Sequence, residues 1–271
     1  MKKNTSLSKT GMYLFLIIVA FVSVFPFYYM ISASANRSIE VIGGRMYPGL
    51  YLFQNVKQIL SLTNPITAFW NSLRNAVVLT LASLFICSMA GYGFVIYRDK
   101  AKDRLMTILL LSMMVPFASV MIPLFRMFSQ MKLLDTTIGF ILPSISTAFL
   151  IFFFRQCTMT FPLEVVQAAR VDGLGEFGIY ARVYVPIMSP TIAAAAIVTF
   201  MNGWNNYLWP LIIMKSQGSR TMPLLITGLT AGYTTDYGIL MLAVTVCTIP
   251  TLVLFFTQQK RFVAGILGSV K

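Results

Sequence analysis

Two stretches of this sequence carry side chains whose types and spacing could do chemistry. The first is Asn202, Trp204, Asn205, Asn206, Tyr207 and Trp209, packed into eight positions. Amides both donate to and accept from hydroxyl groups, and aromatic rings cover apolar ring faces. Such a set suits a polyhydroxylated solute held in a mostly preformed cavity. Side chains three or four apart share a helix face, so Asn202, Asn205 and Asn206 can point together. The same residue types also join helices inside membranes and mark the membrane interface.

The second stretch is Glu164–Pro186, EVVQAARVDGLGEFGIYARVYVP, which holds three of the chain's eight acidic residues. Glu164, Gln167, Ala168, Ala169 and Arg170 are good helix formers. Pro162 stands just ahead, where a helix start tolerates it. Asp172-Gly173 is turn chemistry, and Gly173 is free to take a positive φ. A second helical stretch, Glu176 to Val185, completes a helix, turn, helix. Ala168 and Ala169 are small enough to let another surface approach closely. An amphipathic helix lying on lipid is the competing reading, but two alanines and a glycine turn bring little apolar area to it.

Several chemistries are excluded. There is no GxxxxGK[ST] loop, so the chain does not bind and hydrolyse ATP by itself. It contains no histidine, which removes the commonest general base and metal ligand. No GxSxG is present. No acidic residue falls deep inside an apolar run, where ion- or proton-driven carriers place their relays. Cys87, Cys157 and Cys247 are scattered through or beside apolar runs and read as packing residues rather than a disulfide or zinc framework. No catalytic residue and no metal site is expected.

The elements that must position these residues are membrane helices. The chain has 271 residues, 57% hydrophobic and 11% charged; soluble domains run about 45–50% apolar and about 25% charged. Six spans are expected, at Met12–Ala33, Trp70–Tyr97, Leu105–Phe128, Thr137–Phe154, Pro186–Met214 and Gly238–Thr257. The first is too long for a signal-peptide core of about 7–15 residues and reads as a transmembrane helix. The net charge of +13 sits beside span ends. Thirteen Lys and Arg fall on the side of the termini and of the Glu164–Pro186 stretch, against six on the other side. The positive-inside rule then makes both termini and that stretch cytoplasmic. The charge reflects orientation in the membrane, not nucleic-acid binding. The expected class is therefore an all-α membrane protein with six transmembrane helices, N-in and C-in, and a cytoplasmic helix between spans 4 and 5. The organisation read from sequence is an N-terminal span with an external loop (1–69), a core transmembrane domain (70–260, with a loop at 161–185) and a C-terminal tail (261–271). In the external loop, Leu50–Leu60 is an amphipathic patch, open as a surface helix or as a docking face.

The Glu164–Pro186 stretch resembles the cytoplasmic coupling loop of ATP-binding-cassette importer permeases. That signature runs Glu-Ala-Ala-x-x-x-Gly and, further on, Ile-x-Leu-Pro. Here it reads QAARVDG and VYVP, departing at Gln167 and Val185. Pro162-x-Glu164 and Asp172-Gly173 resemble the carbohydrate branch, as do Met113–Phe125 (MMVPFASVMIPLF), Trp204–Ile212 (WNNYLWPLI) and the ending QQKRFVAGILGSVK. The nearest type is the smaller permease subunit of maltose-type importers. The resemblance implies a second homologous permease, two copies of a nucleotide-binding ATPase that carry the ATP and Mg, an external solute-binding protein, and lipid. It makes the coupling contact Glu164, Gln167, Ala168, Ala169, Asp172 and Gly173. The alanines and Gly173 would form a small face, and Asp172 would cap or pair. Gln167 keeps a hydrogen bond but lacks the family's charge, which Glu164 one turn earlier would supply. The resemblance also implies a tail contact at Gly268 and Lys271; the residue types themselves place a solute pathway at Asn202, Asn205, Asn206 and Tyr207, with the companion permease as the other candidate to hold the ligand. An importer for a non-sugar solute, or a non-transporting subunit of a membrane complex, are the alternatives.

Overall fold

The computed structural model describes residues 4–268 in backbone and 9–259 in side chain. Among the described residues every regular element is a helix. Hydrocarbon offers no water to backbone amides, so each span must satisfy its hydrogen bonds internally. In chain order the helices are α1 (Asn4–Ser34), α2 (Ser38–Ile42), α3 (Leu52–Leu62), α4 (Pro65–Ile96), α5 (Lys100–Ser112), α6 (Phe117–Gln130), α7 (Thr137–Ile141), α8 (Ala148–Thr158), α9 (Leu163–Val171) and α10 (Glu176–Ile179). Then come α11 (Val185–Ile187), α12 (Ser189–Trp204), α13 (Leu208–Ile213), α14 (Met222–Leu229) and α15 (Tyr237–Gly268).

Three of these carry long apolar runs: Lys9–Ser34, Pro65–Ile96 and Tyr237–Gln259, with mean hydropathies of 2.4, 1.9 and 2.5. At about 1.5 Å per residue each reaches across a hydrocarbon core of about 30 Å. The remaining apolar length lies in three bent pairs. α5 and α6 meet at 96°, α7 with its short 3₁₀ turn meets α8 at 54°, and the Glu176–Ile187 segment meets Ser189–Ile213 at 81°. The spans expected at Leu105–Phe128, Thr137–Phe154 and Pro186–Met214 correspond to these three bent pairs. A proline lies at or beside each break. Pro116 heads α6, Pro143 sits in the 3₁₀ turn Leu142–Ser144, and Pro186 and Pro190 flank the α11–α12 break. Proline withholds a backbone donor from the helical ladder.

The described chain forms two compact units, 4–65 with 225–249, and 66–224 with 250–268. This differs from the consecutive stretches expected from sequence, because residues 225–249 return to the first unit. In that unit the Asn55 amide donates to the Ser34 and Asn36 carbonyls at 2.9 and 3.0 Å, which anchors α3 to the end of α1. Asp236 accepts from the backbone N–H of Gly238 and Ile239 and caps α15. The amphipathic patch is helical, as α3, with Asn55 and Ile59 inward and Phe53 exposed.

The second unit holds α4 to α13 and both candidate stretches. α4 and α8 approach closely at Gly91, where an added Cβ would lie 2.5 Å from the Phe154 Cβ and 2.9 Å from the Arg155 nitrogen. Arg155 reaches Asp103 of α5 at 2.7 Å. On the opposite side of the unit, Asp135 takes φ 60° and clasps the turn after α13. Its carboxylate accepts from the Ser216 N–H at 2.9 Å and from the Ser219 hydroxyl. Burial pushes this carboxyl up, but the hydrogen bonds from Ser219 and Ser216 outweigh it and hold it below the ordinary carboxylate value.

Two outcomes are expected. Gly91→Ala should cost about 1–3 kcal/mol by overpacking. Gly93→Ala, where nothing lies within 4 Å of the added carbon, should be neutral or stabilising by up to ~1 kcal/mol. Thermal unfolding in detergent reads both. The clasp contributes above the ordinary aspartate pKa and is lost as pH falls through the lowered folded value. The melting-temperature gap between wild type and Asp135→Ala should therefore be full at about pH 6 and close below about pH 4.

Candidate functional site

α9 is presented from a fixed base. Pro162 stands at its N-cap and leaves no N–H to satisfy. Val166 and Ala169 turn inward and pack with Phe161, Tyr92, Ile179, Tyr180 and Tyr184. The tyrosine tips in this apolar cluster need partners, since an unpaired buried hydroxyl is costly. Tyr184 shares a hydrogen bond of 2.7 Å with Thr158, and Tyr180 one of 2.7 Å with Ser88. The rings of Tyr92 and Tyr184 meet edge-on at 4.9 Å. Tyr180–Tyr184 is a π-helical turn, one residue wider per turn than an α-helix.

The end of α9 is a Schellman motif. The Gly173 N–H donates to Arg170 O and the Leu174 N–H to Ala169 O, both at 3.0 Å, with Gly173 at φ +82°. Beyond the turn, Glu176 accepts from Arg170 at 2.8 Å and from the Tyr97 hydroxyl. The Arg170 guanidinium also lies 5.9 Å over the Tyr97 ring. The turn is thus tied sideways to the end of α4. Tyr97 and Glu176 were not singled out from sequence, because their meeting depends on how α4 and α10 pack.

The outward face carries Glu164, Gln167, Ala168, Asp172 and Gly173, all exposed. Ala169 is corrected: it is only 7% exposed and does not share a small outer face with Ala168. The helical period puts them about 100° apart. Val171 and Phe177 join the exposed surface instead, as apolar positions that sequence reasoning missed. Of the eight acidic residues, six have a hydrogen bond or ion pair within the chain: Glu40, Asp99, Asp103, Asp135, Glu176 and Asp236. Glu164 and Asp172 have none among the described residues. The expected capping by the Asp172 side chain is therefore not seen; the residue caps α9 through its backbone.

The second stretch divides. Trp204 and Trp209 are each 1% exposed and belong to the core. The Trp209 Nε1–H donates to Gly139 O at 2.9 Å, and its ring meets Phe128 edge-on. They offer no face to a solute. Tyr207 packs against the same cluster. Asn205 is exposed and does not line the cavity that the other two amides share. Asn202 and Asn206 do come together. They line a cavity of about 190 Å³ with Thr199, Ser144, Thr147 and Phe149, and Leu79, Leu150 and Val198 complete its wall. The α7–α8 bend exposes Ser144 and Thr147 to it. The amides were legible in sequence; Ser144, Thr147 and Phe149 were not, because the bend delivers them.

Residues 82–267 match the family of binding-protein-dependent transport system inner membrane components. The chain belongs to that family. As a member of it, the chain is a multi-pass transport component of the cell membrane, not an enzyme. The matched region contains α9, its turn and every residue lining the cavity except Leu79. The chain is 44% identical over 259 residues to a lactose transport system permease protein of Rhizobium radiobacter, covering 96% of this chain and 95% of that one. It is 35% identical over 264 residues to an arabinooligosaccharides transport system permease protein of Halalkalibacterium halodurans, covering 93% of each. Among solved structures it resembles a chain of a bacterial ABC transporter involved in the import of the acidic polysaccharide alginate. There the TM-score is 0.80 and the identity 20%, over 97% of this chain and 99% of that one. That likeness concerns the fold. Of the expected tail contact, Gly268 is the last described residue of α15 and Lys271 lies outside the described residues.

Substitutions should separate the two faces of α9 by detergent melting. Ala169→Leu should destabilise by about 1–3 kcal/mol, while Ala168→Leu stays within about 0.5 kcal/mol. Gly173→Ala should cost about 1–2 kcal/mol for its left-handed backbone.

Proposed function

We propose that this chain is the permease subunit of an ATP-driven importer that carries a sugar or oligosaccharide into the cytoplasm. The observation that carries this reading is the outward face of α9: a rigidly backed helix and turn whose Glu164 and Asp172 are the two carboxylates unpaired within the described chain. A surface held this firmly, with charge left over, suits a protein partner. In this reading the partner is one of two copies of an ATPase, which supply the ATP and Mg chemistry. Glu164, Gln167, Ala168, Val171, Asp172 and Gly173 seat in it, with Ala169 as the inner spacer. The relatives are named for lactose and arabinooligosaccharides, which supports a carbohydrate cargo. A second homologous permease completes the pathway, and an external solute-binding protein delivers the cargo.

The topology of this reading has six spans, three straight and three bent, with both termini in the cytoplasm. The Lys and Arg distribution supports that orientation. ATPase closure would shift α9 as a rigid element. The shift would pass along two routes. One is the tyrosine cluster into α4 and the segment leading to α12. The other is the Arg170–Glu176–Tyr97 tie into the end of α4. Asn202 and Asn206 line the solute route, and Gly268 and Lys271 lie in a tail able to approach the ATPases.

Purification from native membranes in mild detergent, followed by mass spectrometry, tests the reading. A second permease, an ATPase and a binding protein are expected; recovery of the chain without an ATPase would overturn it. In the same complex, Glu164→Ala with Asp172→Ala should lower ATPase recovery about tenfold, a loss of about 1.4 kcal/mol. Unchanged recovery would remove these two carboxylates from the contact.

A further inference from the structure

The cavity beside α12 has a chemistry that narrows the cargo. No charged side chain lines it. Asn202 sits in the last turn of α12 and Asn206 just beyond its end, and neither amide has a hydrogen-bond partner among the described residues. Each offers two donors and one acceptor. Thr199 and Ser144 add hydroxyls, and Phe149 of α8 contributes an exposed ring to the wall.

We infer that this cavity is a subsite for one uncharged saccharide unit in transit, so that the cargo is neutral and this chain itself touches it. The inference rests on the importer reading above. A hydroxyl both donates and accepts, and so satisfies both ends of an amide. A carboxylate or phosphate accepts only; it would match the amide N–H groups but set its anionic oxygens against the amide carbonyls, with no Lys or Arg in the wall to balance the charge. An ammonium would leave the amide donors unmatched and finds no carboxylate. A charge taken out of water without a counter-charge is strongly disfavoured. A sugar ring's C–H face, by contrast, can lie on Phe149 while its hydroxyl rim meets the two amides. The cavity, about 190 Å³, is small enough to seat one ring-sized unit.

The test uses the complete importer with its binding protein in proteoliposomes. ATP-dependent uptake is measured for a panel of neutral di- and oligosaccharides, lactose included, and for uronate and phosphate-ester counterparts. Neutral sugars should be taken up and the charged counterparts should not. Asn202→Leu and Asn206→Leu should each raise the half-saturating sugar concentration about five- to tenfold, the cost of one lost hydrogen bond. Asn205→Leu, outside the cavity, should not. Complex recovery should be unchanged in all three, which a purely structural role for the amides would not predict. Uptake of charged sugars equal to neutral ones, or unaltered half-saturation in both cavity variants, would overturn the subsite while leaving the importer intact. Absence of ATP-dependent uptake of every sugar would instead remove the importer reading beneath it.

Discussion

The packing of Val166 and Ala169 against the tyrosine cluster is the contact on which the rest of the α9 surface depends. A nine-residue helix has little stability of its own, since isolated helices shorter than about 12–15 residues are marginal in water. α9 exists as a helix because its inner face is buried. That face must be apolar and shallow, and Ala169 keeps it shallow. The tyrosines behind it bring rings large enough to fill the space and hydroxyls that would be costly unpaired. Thr158 and Ser88 resolve that cost for Tyr184 and Tyr180 at 2.7 Å each, while the buried Tyr92 hydroxyl has no partner among the described residues. The helix is therefore referenced to α8 through Tyr184 and to α4 through Tyr180. The Schellman turn and the Glu176 tie act on a helix already fixed in place.

The same principle organises the cavity. The breaks in the spans do more than bend the chain. Each bend releases backbone from the helical ladder, and released backbone is tolerated at membrane depth only where protein or a wet cavity covers it. The α7–α8 break turns Ser144 and Thr147 toward the end of α12, where Asn202 and Asn206 already face. Polar side chains are thus gathered where helices are interrupted, while the intact faces carry the aromatic core around Trp209.

Much of this was legible in the residues. Apolar runs, lysine and arginine placement, and the Asp172-Gly173 turn located the long helices and the α9 turn, and Gly173 has the positive φ expected of it. The amphipathic Leu50–Leu60 patch is a helix. Three things were not legible. The side of α9 on which Ala169 lies depends on the phase of a helix whose packing partners are distant in sequence. The burial of Trp204 and Trp209 was hidden because an aromatic residue suits a core and a sugar equally, and only the neighbours distinguish them. The tie between Tyr97 and Glu176 joins residues 79 positions apart, with no local pattern to announce it.

The π-helical turn at Tyr180–Tyr184 has a consequence for how this chain tolerates change in length. An α-helix advances about 100° per residue, from its 3.6-residue turn. One surplus residue therefore acts as a phase shifter: it rotates everything on one side of it relative to the other without lengthening the segment much. Deleting a single residue there would relax the turn to an ordinary helix and swing the α9 surface around the axis of the segment leading to α12. The chemistry of every side chain would be untouched, yet the surface would face the wrong way. The segment measures angle rather than distance, and its residue count is a setting as specific as any side chain on it.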